Sequence, residues 1–304
     1  MAPVAHAAEY PDRPIRVIVP YAPGGATDVV ARLMSQKLGD ALGQSVVIDN
    51  KPGANGIIGT DMVARAAPDG YTLLLNTAGA QTLSPVIYKE AKYDSLKSFA
   101  PISLISNIGF VMVVNPKVPA KTLKEFVELA KSGKQSLSVS SGSSMINIMN
   151  EGFKTTIGAP GIVNAQYKGT GPQMQAVIAG EVDMTIDPFN SLQIIRAGKL
   201  RALGVLADKR SPSLPDVPTM KEQGIDMVFN SWAALLAPAG TPPAIVQRLQ
   251  DEVIKIVALP EVREQLERID YEPIGSTAEQ LAATIAEDTA RWRKVVKDTG
   301  FKIE

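Results

Sequence analysis

Cysteine is absent from the 304 residues, and histidine occurs once, at His6. These two shortages together remove thiol nucleophiles, most zinc sites and histidine-assisted serine chemistry. An enzyme built on this chain would have to work with carboxylates, lysine or tyrosine. No apolar run reaches the roughly 18 residues that a membrane-spanning helix needs. Charge of one sign is missing too: 31 basic residues cancel 31 acidic ones, no long run of either sign occurs, and nucleic acid is not an expected partner. No metal, cofactor or catalytic residue is assigned. What the chain does have is 45% hydrophobic residues, enough for one large core or two medium ones, with charge content too ordinary for disorder.

The stretch that organises the rest runs from Ile15 to Leu42. Ile15, Val17, Ile18 and Val19 form a short apolar run of the kind that is buried on both faces of a parallel sheet. Val30, Leu33, Met34, Leu38 and Leu42 then recur at helical spacing, so one stripe can pack on that sheet. Tyr21, Pro23, Gly24, Gly25, Ala26, Thr27 and Asp28 lie in the turn and the first helical turn that joins them. Glycine lets a ligand approach the main chain, and the free amides of a helix start make an anion site. Gly25 is the position where a branched side chain is expected to displace the anion and strain the turn. The competing reading is a tight strand-to-helix turn and nothing more. The loop has neither the Gly-Lys-Ser/Thr ending of a P-loop nor Gly-x-Gly-x-x-Gly, which disfavours a nucleotide.

Downstream, the same strand, polar loop and helix arrangement repeats. Ser45 to Asp49 reads as a strand. Gly53, Gly56 and Gly59 then lead into a helix and read as a turn with close helix packing. Tyr71 to Leu75 is a strand ending in Asn76, Thr77, Ala78 and Gly79, and the carboxyl ends of strands are where open α/β sheets hold ligands. A second lobe begins near Phe110. Its loops are Ser141, Gly142, Ser143 and Ser144; Lys168, Gly169, Thr170 and Gly171, with Pro172 at the first helical position; and Asp187, Pro188 and Phe189. Ala202 to Leu206 completes a parallel set. The remainder is helical, with Ser276-x-x-Glu279 as a capping box. The expected fold class is α/β, with each lobe a mostly parallel sheet flanked by helices.

In this order, Pro14 to Asp28, Asn50 to Gly56, Pro68-Asp-Gly-Tyr-Thr-Leu73, Tyr167-Lys-Gly169, Ala197 to Leu203, Arg210 to Thr219 and Ala237 to Pro242 resemble the periplasmic solute-binding proteins of tripartite tricarboxylate transporters, the Bug family. The resemblance covers Tyr10 to Glu304. It implies a two-lobed Venus-flytrap fold that closes on a small carboxylate, an aliphatic di- or tricarboxylate or an aromatic acid, and presents it to a transmembrane permease. Carried over, it places a ligand carboxylate at Gly24 to Asp28 and Lys168 to Gly171, partly through water, with the remaining loops reading the rest. The chain departs from the family at Gln81 and Asn147, where relatives often have histidine, and at Tyr21, where phenylalanine is common.

The lobes are expected at 9–107 plus 234–304 and at 108–233, in a monomer. Residues 1–8 hold Ala5-His6-Ala7, the small-x-small pattern that ends an export signal, but without the basic and apolar regions that precede one. Either the natural protein is exported to the periplasm or this is an alanine-rich tail. A sensor of the same fold that signals to a membrane kinase is one alternative function. A carboxylate-based enzyme using Asp28 and Asp187 is another, although both residues also read as helix-start or loop carboxylates.

Overall fold

The computed structural model describes residues 10–299, so the export pattern at Ala5-His6-Ala7 lies outside the described part. The chain divides into two compact units. One takes in the chain up to Asn107, Trp232–Leu266 and the chain from Glu272 onward, and the other takes in Ile108–Ser231 and Glu267–Tyr271. The chain therefore returns to the first unit at Trp232, not at Ala234. The five residues Glu267–Tyr271 also leave the final helical region to join the second unit. Within that unit Asp270 accepts a hydrogen bond from the Ser211 hydroxyl at 2.6 Å.

In the first unit, β1 (Ile15–Val19), β2 (Val46–Asn50) and β3 (Thr72–Thr77) are joined by α1 (Ala26–Leu42) and α2 (Ile57–Ala64). α3 (Ser84–Ile87) and β4 (Phe99–Ile108) follow. β1 lies between β2 and β3 and is parallel to both. The apolar run is buried as its composition demands, except that Arg16 points outward. The α1 stripe of Val30, Leu33, Met34, Leu38 and Leu42 is buried as well.

The second unit contains β5 (Val111–Val114), α4 (Leu123–Ser132), β6 (Ser138–Ser141), α5 (Ser144–Thr156) and β7 (Val163–Gln166). It continues with α6 (Thr170–Ala179), β8 (Met184–Asp187), α7 (Leu192–Arg196) and β9 (Arg201–Val205). The chain then closes with β10 (Ser231–Pro238), α8 (Pro243–Ala258), α9 (Pro260–Glu267), β11 (Tyr271–Pro273) and α10 (Ala278–Thr299).

The strand orders are β11-β4-β10-β3-β1-β2 and β7-β6-β8-β5-β9. Both sheets are mixed. β6 pairs in parallel with β7 and β8, whereas β5 runs antiparallel to both β8 and β9. β9 thus shares the direction of β8 without pairing to it, because β5 is inserted between them. In the first sheet β10 is antiparallel to β3. Apolar composition predicts burial on both faces, which the two orientations satisfy equally, so direction was not readable from the strands themselves.

Two helix starts also differ from the sequence reading. α6 begins at Thr170, so Pro172 is its third residue, where an amide has no intrahelical partner to lose. At α10 the capping box is formed one residue on from Ser276-x-x-Glu279. Thr277 Oγ1 accepts from the Gln280 amide at 3.3 Å and Gln280 Oε1 accepts from the Thr277 amide at 2.9 Å. Ser276 instead turns to β4, its hydroxyl accepting from the Leu104 amide and donating to the Thr277 carbonyl, both at 2.9 Å.

Because β1 and β3 are parallel, their carboxyl ends emerge on one edge of the first sheet. Those of β6, β7 and β8 do the same in the second. Leu74 holds this arrangement from the middle of the first sheet, paired to Ile18 on one side and Leu236 on the other and fully buried. Leu74→Ala is expected to destabilise the protein by about 2–5 kcal/mol through lost burial and the cavity left behind. Urea unfolding measures this, and a loss under about 1 kcal/mol would show that this sheet centre collapses around the gap.

Candidate functional site

The first loop of the first unit is built around Asp28. Its side chain is buried in the opening turn of α1, and both oxygens are occupied. Oδ2 accepts from the Gly24 amide at 3.0 Å and from Arg32 Nε at 2.8 Å, while Oδ1 accepts from Arg32 Nη2 at 3.2 Å and Asn50 Nδ2 at 2.9 Å. Burial pushes this carboxyl up, but the bonds from Arg32, Gly24 and Asn50 outweigh it and hold it below the usual carboxylate range. Asn50 also donates to the Tyr21 carbonyl at 3.1 Å. Asp28 therefore organises the loop, and the Gly24 amide is already spent on it.

Pro23, Gly24 and Gly25 are exposed, and Ala26 and Thr27 are half-buried. The glycine that the backbone requires is Gly24, at φ +84°. Gly25 has ordinary extended angles, φ −76° and ψ 165°, and a Cβ there would meet only the Ala22 carbonyl oxygen at 3.8 Å. The expected strain at Gly25 is therefore absent. Gly25 is nevertheless the N-cap of α1, and no side chain caps that helix.

Asn76 and Thr77 end β3 and lock onto the first loop. The Tyr21 hydroxyl meets Thr77 Oγ1 at 2.5 Å, and burial raises the Tyr21 phenol to about 12 against the pull of that bond. Asn76 is fully buried, donating to Thr60 Oγ1 at 3.2 Å and Gln81 Oε1 at 2.9 Å and accepting from the Thr77 amide. Gln81, singled out as a departure, donates in turn to the Ser95 carbonyl at 2.7 Å. Asn76 and Gln81 are thus committed to holding the strand end. Ala78 is buried, and Gly79 opens a π turn running to Leu83. Gly56 and Gly59 are explained by packing, since a Cβ at Gly56 would run into the Ala80 side chain and one at Gly59 into Pro20 and the Lys51 carbonyl.

In the second unit Gln173, which the sequence reading passed over, ties the start of α6 to the loop after β6 and to β8. It is buried in the first turn of α6. Its Oε1 accepts from the Gly142 amide at 2.5 Å, and its Nε2 donates to Thr185 Oγ1 and to the Ile186 carbonyl. Gly142 has to be glycine because a Cβ would collide with the Gly169 carbonyl. Ser143 caps α5, accepting from the Ile146 amide at 3.3 Å. Ser141 is buried and donates to Asn164 Oδ1 at 2.8 Å, and Ser144 is buried beside it. Asn164, also missed, was hidden because nothing in a four-residue strand marks a polar residue as a hub.

Lys168 is exposed and forms no ion pair among the described residues. Gly169 adopts φ +106° and is the N-cap of α6, again with no side-chain cap. Thr170 and Gly171 are exposed in its first turn.

Asp187 is buried at the end of β8. Its Oδ2 accepts from both the amide and the hydroxyl of Ser191 at 2.8 Å, which closes Pro188 and Phe189 into a tight turn with Phe189 at φ +59°. The Phe189 ring is buried and would lie 3.2 Å from a Cβ at Gly109. Asp28 and Asp187, the carboxylates considered for acid/base chemistry, are each committed to their own loop. No group of three or more His, Cys, Asp or Glu could hold a metal among the described residues.

Burial raises the Asp187 carboxyl from 3.8 to about 6 against its bonds to Ser191 and Asn190. Because the folded form holds its proton to higher pH than the unfolded chain, this contribution is fully present below 3.8 and is lost as pH rises through about 6. Asp187→Asn keeps both Ser191 bonds and removes the titration. Its unfolding free energy should accordingly fall less between acid and neutral pH than that of the parent. Parallel pH profiles for the two proteins would contradict the assignment.

Against known proteins, the chain is 37% identical to BugT of Bordetella pertussis over all of this chain and 94% of that protein. Among solved structures it matches the periplasmic binding protein BugD at 33% identity and a TM-score of 0.87, over 97% of this chain and 100% of that one. It also matches MatC of Rhodopseudomonas palustris, solved with bound malate, at 32% identity and a TM-score of 0.85, over 94% of this chain and 100% of that one. The fold is that of the periplasmic binding proteins. The model of the tripartite tricarboxylate transporter family receptor matches residues 30–301, and the chain belongs to that family.

Proposed function

We propose that this chain is a periplasmic solute-binding protein that captures a small carboxylate and delivers it to a transmembrane permease of the tripartite tricarboxylate type. The ligand class is an aliphatic di- or tricarboxylate or an aromatic acid. One observation carries the reading. α1 and α6 both open on glycine N-caps with no side-chain cap, so their first-turn amides and dipoles are left for an anion. Around them the polar side chains are bonded to one another, and Arg32 neutralises Asp28, which leaves the start of α1 electropositive. Lys168 is the one cation in the candidate loops, so recognition rests on oriented dipoles and water more than on an ion pair. The malate held by MatC is a ligand of this chemistry.

Export belongs to the same proposal and rests on Ala5-His6-Ala7 and the family. No helix among the described residues is long and apolar enough to cross a membrane. Expression from the chromosomal gene and fractionation of the cells should find the protein in the periplasm, and a purely cytoplasmic product would remove this part.

Ala26→Pro tests the dipole reading. Proline suits the first helical position, and the Gly25 angles are those favoured before proline, so the variant should fold while losing one first-turn amide. Isothermal titration with the best ligand from a mono-, di- and tricarboxylate screen is expected to show at least about tenfold weaker binding. Lys168→Met should lose less. If Lys168→Met abolished binding while Ala26→Pro kept it, a direct salt bridge would replace the dipoles.

A further inference from the structure

Asn147 is held in one orientation by a chain of hydrogen bonds whose polarity is fixed from both ends. At one end stands the Glu151 carboxylate, which can only accept and which pairs with Lys154 at 3.0 Å. Asn164 must therefore turn its amide nitrogen to Glu151, and that bond is 2.9 Å. At the other end Asn150 donates to the Ser140 carbonyl and to Ser141 Oγ, both at 2.9 Å. The Ser141 proton is thereby directed to Asn164 Oδ1. Both ends agree on how Asn164 lies. Its second N–H goes to Asn147 Oδ1 at 2.9 Å, so Asn147 turns its oxygen to Asn164. Its Nδ2 has no partner among the described residues and can act only as a donor.

Helical side chains tilt toward the helix N-terminus, so the Asn147 side chain leans back toward the turn that carries the Ser143 cap. It is half-buried, and its amide bonds to the carbonyl of Ser143, the cap of α5, at 2.9 Å. Four residues beyond the cap, it stands on the same face of the helix as the Ser141 to Ser144 loop, one turn on. A donor held in one orientation disfavours a ligand group that is itself only a donor.

We propose, resting on the binding function above, that Asn147 is the specificity-determining residue for a second polar group on the ligand. It selects an acceptor there, a second carboxylate, over an ammonium group. The test compares succinate, glutarate and adipate with the ω-amino acids of matching length, γ-aminobutyrate, δ-aminovalerate and ε-aminocaproate, by isothermal titration at neutral pH. The parent protein should prefer the diacid of the best-binding pair by at least about tenfold.

Asn147→Asp keeps an oxygen for Asn164 and converts the free donor into an acceptor, so the preference should shrink or invert. Asn147→Leu, which offers neither, should bring the two ligands closer together. The readout is the ratio of the two affinities, which a general loss of fold or of binding does not move. A preference unchanged in Asn147→Asp, or a parent that favours the ω-amino acid, would overturn the role of Asn147 alone. Failure of every carboxylate to bind would overturn the proposed function along with it.

Discussion

A carboxylate buried at the foot of α1 has to be neutralised, and the way Asp28 meets that demand shapes the whole first loop. An ionised group taken out of water is tolerated only when it is paired and hydrogen-bonded. Asp28 takes four hydrogen bonds, from Gly24, Asn50 and twice from Arg32. Each draws something else into place. Gly24 must adopt φ +84° to present its amide, Asn50 clamps the Tyr21 carbonyl, and the Tyr21 hydroxyl reaches the end of β3. Arg32 is the partner with functional weight, because without its charge the carboxylate would cancel the positive end of the helix it sits in.

The second unit reaches a similar end with neutral groups. Gln173 joins the loop after β6 to β8 from a single buried side chain, and Asn164 links Ser141, Asn147 and Glu151. A buried amide that is satisfied on both its oxygen and its nitrogen gains rigidity from the low dielectric around it, whereas a half-satisfied one would be a liability. The resulting loops are held in place by neutral side chains. On the function proposed here, that stiffness is what lets bare helix starts serve as a binding surface, since dipoles that need not reorient hold an anion better than mobile ones.

Glycine placement follows the same division between local and distant causes. Gly24 and Gly169 are required by their own backbone angles, whereas Gly142 and Gly59 are required by what lies opposite them, the Gly169 carbonyl in one case and Pro20 in the other. A sequence marks both kinds with the same letter. That is why Gly25, which needs neither, was credited with a strain that belongs to its neighbour.

Much was legible from the residues alone. The apolar run Ile15 to Val19 and the α1 stripe predicted elements and their buried faces correctly, because periodicity is a local consequence of helix and strand geometry. Polar loops at strand ends followed from the same pattern, and the ordered motifs carried the family. Three things were decided only by the tertiary structure. Strand direction was one, since β5 and β10 run antiparallel although apolar composition suits either orientation. The second was the joining of Glu267–Tyr271 to the second unit. The third was which polar residues remain available, because whether Asp28, Asn76 and Asp187 are free for a ligand depends on the partners that the folded loops bring to them. Spacing along the chain reports which groups a loop contains, but only packing settles which hydrogen bonds are already made.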